Sequence, residues 1–221
     1  MELLFLLYCR GVLDFSIPDF QYYNCLGVSV LDATFSAQAR YASVIHVMND
    51  FCGHYGLTFE QADSLPERNA QITISQLLAV LKEVTPEELA DVVHNHSKVG
   101  GRLKAALFLD CLRTLHEFEI ETYQDFQAQF NNVELETALR SLRGMGEATI
   151  NYLYMLAGNS NHVKVDRHIR AFTSTAINNN SLSAEQIEEL FRYAANELSS
   201  DYPGMTARHL DHIVWVYQRN Q

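Results

Sequence analysis

The sequence predicts an all-α fold, and three observations predict it. Apolar residues recur at three- and four-residue spacing along most of the chain. Helix-opening caps stand ahead of several of these stripes. No Val/Ile/Thr-rich alternation lies between turn signals, so no strand is expected. At 221 residues and 48% hydrophobic content, the chain is long enough for one large domain or two small ones with a real core.

The elements follow in order. Residues 1–31 hold apolar runs broken by Ile17-Pro18-Asp19 and Asn24, and their secondary structure stays open. The run Leu3-Leu4-Phe5-Leu6-Leu7-Tyr8 follows Glu2 with no basic residue before it and is ended by Arg10. It reads as a core segment, not as a signal peptide, and is too short to span a membrane. Over 34–55, Phe35, Val44, Ile45, Val47, Met48, Phe51, Cys52 and Tyr55 form one helical stripe that ends near Gly53 and Gly56. Helices over 72–84 and 85–94 come next, the second opened by Thr85-Pro86-Glu87-Glu88, where Thr caps, Pro takes the first helical position and the acids face the dipole. After Gly100-Gly101, an amphipathic helix is expected over 103–118 and a capped one over 122–130. Leu139 and Leu142, then Ile150, Leu153 and Leu156, mark two helices on either side of Gly144-Met145-Gly146. Ser183 to Gln186 is a capping box for a helix to Leu198, and Pro203-Gly204 precedes a last helix carrying Leu210, Ile213, Val214 and Tyr217.

Composition narrows the function classes. A net charge of −11 and a pI near 5.2 oppose indiscriminate binding to a polyanion. Positive charge is nonetheless gathered in two places: Lys98, Arg102, Lys104 and Arg113 against Asp110, and Arg140, Arg143, Lys164, Arg167 and Arg170 against Glu147 and Asp166. Cys9, Cys25, Cys52 and Cys111 are scattered without a C-x-x-C pair and are expected as buried free thiols. The histidines form no H-E-x-x-H pair, so no metal is expected.

One stretch asks for a particular chemistry. Two glycines one residue apart, Gly144 and Gly146, let the backbone take φ > 0 and bare the amides at the start of the next helix, a geometry that suits a phosphate. Downstream stands Val163-Lys164-Val165-Asp166-Arg167-His168, in which Asp166, taken alone, is an N-cap. The combination of Leu142-Arg143-Gly144-Met145-Gly146-Glu147-Ala148-Thr149-Ile150 with Val165-Asp166-Arg167-His168 resembles the helix-hairpin-helix DNA glycosylase superfamily, which includes endonuclease III and the adenine glycosylase acting opposite 8-oxoguanine. Its shared pattern is L-P-G-V-G-x-x-T-A followed by V-D-T-H. Upstream, Ser36-Ala37-Gln38 is similar to that family's L-L-S-A-Q segment, and Arg102-Leu103-Lys104-Ala105 opens the helix before the hairpin pair.

The resemblance implies two helical lobes with the helix-hairpin-helix at the groove between them: a central bundle over 34–157, and a second lobe made from 1–33 with 158–221 that carries the aspartate. It implies Asp166 as the catalytic carboxylate, and Gly144, Met145 and Gly146 with Arg143 and Thr149 as the grip on the DNA backbone. Gln38, Arg102, Lys104, Lys164 and Arg167 would wedge into or line the groove. The partner would be double-stranded DNA with a damaged or modified base, bound by an intracellular monomer, nucleoid-associated in a bacterium, without a cofactor. Two departures refine this. No cysteine lies beyond Cys111, so the iron–sulfur cluster of many relatives has no ligands in its usual place. Ala148 stands where strand-cutting members place their lysine, so no Schiff base can form there and a monofunctional glycosylase using water is expected. Arg143 replaces the usual proline, Arg167 the usual threonine, and Glu147 puts a carboxylate beside the amides. Two other readings stay open: a catalytically silent DNA-binding module, and a protein-interaction scaffold.

Overall fold

Helices dominate because their starts are written locally. A computed structural model describes residues 1–221. It contains α1 (Glu2–Val12), α2 (Leu26–Ser36), α3 (Tyr41–Tyr55), α4 (Ile74–Val80), α5 (Pro86–Val92), α6 (Lys104–Glu117), α7 (Tyr123–Ala128), α8 (Val133–Ser141), α9 (Glu147–Leu156), α10 (Arg167–Ile177), α11 (Ala184–Leu198) and α12 (Ala207–Arg219). Thr73, Thr85, Thr122 and Ser183 each form a reciprocal capping box, while Asn132, Asp166 and Thr206 cap from the side chain alone. Each such cap is worth about 1 kcal/mol. The fold is all-α, as the periodicity predicts, with two minor exceptions: β1 (Tyr22–Tyr23) pairs with β2 (Gln61–Ala62), and β3 (Lys98–Val99) pairs with β4 (Arg102–Leu103), both antiparallel. No helix is long and apolar enough to cross a membrane.

The chain divides into two compact units, 21–158 and 1–20 with 159–221. The first is built around α2, whose residues Leu26 to Phe35 are all buried and which packs against α3, α6 and α9. A helix buried on every face forms the interior of its unit, which is why residues 21–33 sit here and not with the terminal segments as the expected boundary at 34 had them. The polar groups that α2 takes inward are satisfied. The Asp32 Oδ2 accepts from the hydroxyls of Tyr23 (2.8 Å) and Tyr152 (3.0 Å), and its Oδ1 accepts from Ser36 (2.7 Å).

The helix expected over 34–55 is broken at 37–40. Lys104 Nζ donates to the Phe35 carbonyl at 2.9 Å, occupying the acceptor with which α2 would have continued, and Gln38 takes φ 54°. The chain restarts as α3 after Arg40. The β3–β4 ladder, not foreseen either, is a two-residue hairpin in which Gly100 (φ 59°) and Gly101 (φ 80°) form the turn. Two consecutive positive φ values are what such a primed turn requires.

The second unit packs α1, α10, α11 and α12 around Phe5, Phe172, Phe191, Leu198, Leu210, Ile213 and Val214. Phe5 meets Phe172 edge-on with ring centroids 6.0 Å apart. The N-terminal apolar run is therefore a core helix, its Phe5, Leu6 and Cys9 buried and Leu3, Leu4 and Leu7 exposed. All four cysteines are buried free thiols, and burial raises those of Cys9, Cys52 and Cys111 to about 12.

Candidate functional site

In the 21–158 unit, α8 and α9 flank a tight turn. Met145 N–H donates to the Leu142 carbonyl at 2.9 Å, closing a four-residue turn whose third position, Gly144, has φ 101°. Only glycine holds such a φ at little cost, and the second position of such turns favours proline, which is where Arg143 stands. Gly146 is different: its φ is −80°, and it serves as the N-cap of α9. Only one of the two glycines therefore uses its conformational freedom. The first amides of α9, those of Glu147 and Ala148, have no acceptor within the helix and carry its positive dipole end. Arg143, Gly146 and Glu147 are exposed around them.

Two of the expected backbone-gripping residues point inward. Met145 is 6% exposed with its N–H already spent, and Thr149 is 7% exposed with its N–H on the Gly146 carbonyl at 3.0 Å. Their side chains pack the hairpin from beneath, because α9 turns residues 149–156 into the core beside α2.

The aspartate lies in the other unit. Val163 and Val165 are anchored in the core, while Asp166 N-caps α10. Its Oδ1 accepts from the backbone N–H of His168 (2.8 Å) and Ile169 (3.2 Å); Oδ2 takes no hydrogen bond within the chain. Half-buried, Asp166 is thus held by one oxygen with the other left over. The turn that carries it is pinned by a residue the sequence did not single out. Asp211, buried in α12, accepts the Lys164 backbone N–H at 2.9 Å. Burial first, and the nearby charge of Asp166 second, push the Asp211 carboxyl well above the usual carboxylate range. Two carboxyls therefore share this neighbourhood, and Asp211 holds its proton more tightly than an ordinary carboxyl. No local signal marks Asp211, since an aspartate after a leucine in an amphipathic helix reads as a solvated face. Arg208, one turn earlier on α12, donates to the Asp19 carboxylate (3.2 Å) and the Phe20 carbonyl (3.1 Å), and so ties the N-terminal segment to the same helix.

The expected groove residues divide. Gln38 is exposed just past the end of α2 in a left-handed turn, inside the stretch expected as one helix over 34–55. Arg102 is paired with Asp110 at 2.5 Å, and Arg113 holds the same carboxylate at 2.9 Å. Lys104, expected at the groove, is instead 2% exposed and bonded to the Phe35 carbonyl, and burial lowers its ammonium to about 8. A phosphate cannot reach it, because the first turn of α6 faces α2. Lys164 is half-buried, and Arg167 is exposed beside His168, with Nε to Nε2 at 3.3 Å. Ala148 is half-buried and presents no amine. A hollow of about 450 Å³ lined by Arg40, His46, Asp50 and His94 contains none of the expected site residues.

A family model described as a domain of unknown function, DUF8548, matches residues 8–219, which is nearly the whole chain. The chain belongs to that family. No curated protein matches this DUF8548 member. Its fold is similar to that of a solved structure, Clostridium acetobutylicum 8-oxoguanine glycosylase/lyase in complex with dsDNA containing cytosine opposite to 8-oxoG. The TM-score is 0.56 at 14% identity, over 87% of this chain and 59% of that one. The chain thus spans about three-fifths of the neighbour's length, and what the two share is the all-α fold.

Proposed function

We propose that this chain is a monofunctional DNA base-excision glycosylase acting on double-stranded DNA. The observation that carries the reading is the single free oxygen of Asp166, set two residues after a pinned Lys164 and, in the sequence, downstream of a Gly-x-Gly hairpin of the glycosylase pattern. A base inside a duplex cannot be attacked at its sugar bond until it is turned out of the stack, so a backbone grip and a carboxylate are needed together. The hairpin turn at Arg143 to Gly146 supplies the grip through the amides that open α9. The C1′–N bond then breaks, its electron pair leaving with the base, which takes up a proton from solvent. Positive charge develops on the sugar, and the Asp166 carboxylate stabilises it. Water adds to C1′ and gives its proton to Asp166 Oδ2, leaving an abasic site. Ala148 offers no amine, so the strand stays intact. The fold shared with a DNA glycosylase/lyase supports this reading.

The test is a panel of duplexes carrying uracil, alkylated, oxidised and hypermodified bases, scored by alkali cleavage at abasic sites. Wild type should release a base from at least one, without cutting the strand before alkali and without forming a borohydride-trapped adduct. Asp166→Asn, which keeps the N-cap, should lose at least about 100-fold in rate, within the range for a positioned acid–base group. Equal activity in the variant would sink the assignment. The silent DNA-binding module is the second reading, and the two cap bonds of Asp166 are what favour it. Salt-dependent duplex binding without base release from any member of the panel would select it.

A further inference from the structure

The β3–β4 turn lies backbone-to-backbone on the hairpin. A Cβ on Gly100 would stand 2.9 Å from both the Cα and the N of Gly144, and one on Gly144 would stand 2.9 Å from Val99 Cγ1. Arg143 lies across Gly101, its Nη2 2.7 Å from where a Cβ there would be. Both turns belong to the 21–158 unit and so hold this arrangement together. Gly100, Gly101 and Lys98 are exposed, and in a two-residue primed turn the two central amides are not used by the ladder. Nearby, Arg102 and Arg113 share the one carboxylate of Asp110, which leaves a positive charge over, while Lys104 is buried and contributes nothing.

We infer that the β3–β4 turn is a second backbone-binding element: Lys98 and the amides of Gly100 and Gly101 contact a phosphodiester of duplex DNA next to the one held at Arg143 to Gly146. The inference rests on the proposed DNA-binding function and extends its surface. It gives the Gly100-Gly101 pair two physical roles, the close approach to Gly144 and the exposure of bare N–H groups to an anion. It also gives Lys98 a role in this region's positive charge that Lys104, expected at the groove but buried, cannot fill.

The experiment measures binding of a fluorescently labelled duplex over a salt series for wild type, Lys98→Ala, Lys98→Arg and Lys82→Ala. Lys82 is an exposed lysine of the same unit and serves as the control. One phosphate contact contributes about 0.9 to the slope of log affinity against log salt. Lys98→Ala should lower the slope by about that amount and weaken binding alike for all sequences, Lys98→Arg should restore it, and Lys82→Ala should leave it unchanged. An unchanged slope in Lys98→Ala, or an equal loss in Lys82→Ala, overturns the inference. Failure of the wild-type chain to bind duplex at all is a different result: it removes the DNA reading itself, and this extension with it.

Discussion

Asp211 sits in α12 with its charged form disfavoured by burial and by Asp166, yet its Oδ1 is needed where it is, on the Lys164 N–H. Because its folded-state pKa lies above the unfolded value of 3.8, the folded chain holds the proton more tightly. Its contribution to stability is full below that value and is lost as pH rises toward the raised one. Asp211→Asn keeps the acceptor and mimics the protonated carboxyl. Melting temperatures should show the variant gaining on wild type steadily from pH 4 upward; a gap that shrinks with rising pH would contradict the raised pKa of Asp211. At this scale the Asp166 cap was legible in the sequence, because capping is a contact across three residues. Asp211 was not, since its partner lies 47 residues away. Lys104 misled for the same reason: composition shows its charge, and only the packing of α6 on α2 shows that the charge is buried.

The hairpin is the element on which most depends, and its two glycines are not equivalent. Gly144 holds φ 101° against Val99, whereas Gly146 has φ −80° with nothing within 4 Å of where a Cβ would stand. Gly144→Ala should therefore cost about 1–3 kcal/mol through the strained conformation alone, and more through contact with Val99. Gly146→Ala should cost less than about 1 kcal/mol, the difference between a glycine and an alanine N-cap. Urea midpoints of the two variants measure this directly, and a larger loss at Gly146 would refute the turn geometry. The helix pair and the turn were readable from the Gly-x-Gly spacing and the flanking leucines. The division of labour between the glycines was not, and neither was the support that Gly100 lends from another turn.

For the whole molecule, the chain forms two units with separate cores, one of them assembled from both ends of the sequence. Phe5 lies fully buried among Phe172 and Phe191 and closes that discontinuous core. Phe5→Ala should cost about 3–5 kcal/mol. In hydrogen exchange, the loss of protection should appear in α10, α11 and α12, with α8 and α9 protected as in wild type, since cooperative units follow shared cores. Uniform loss across both units would show a single cooperative core instead.

The sequence by itself determined the all-α class, the main helix starts, the Gly144 turn and the capping place of Asp166, because each is set by residues within about one helical turn of one another. Tertiary structure alone decided that α2 is interior, that 34–55 breaks at Gln38, that Lys104 is withdrawn from solvent, and that Asp211 stands behind the Asp166 turn. Those outcomes rest on hydrogen bonds and packing between segments tens of residues apart, where the free energy of burial, and not local propensity, selects the partner.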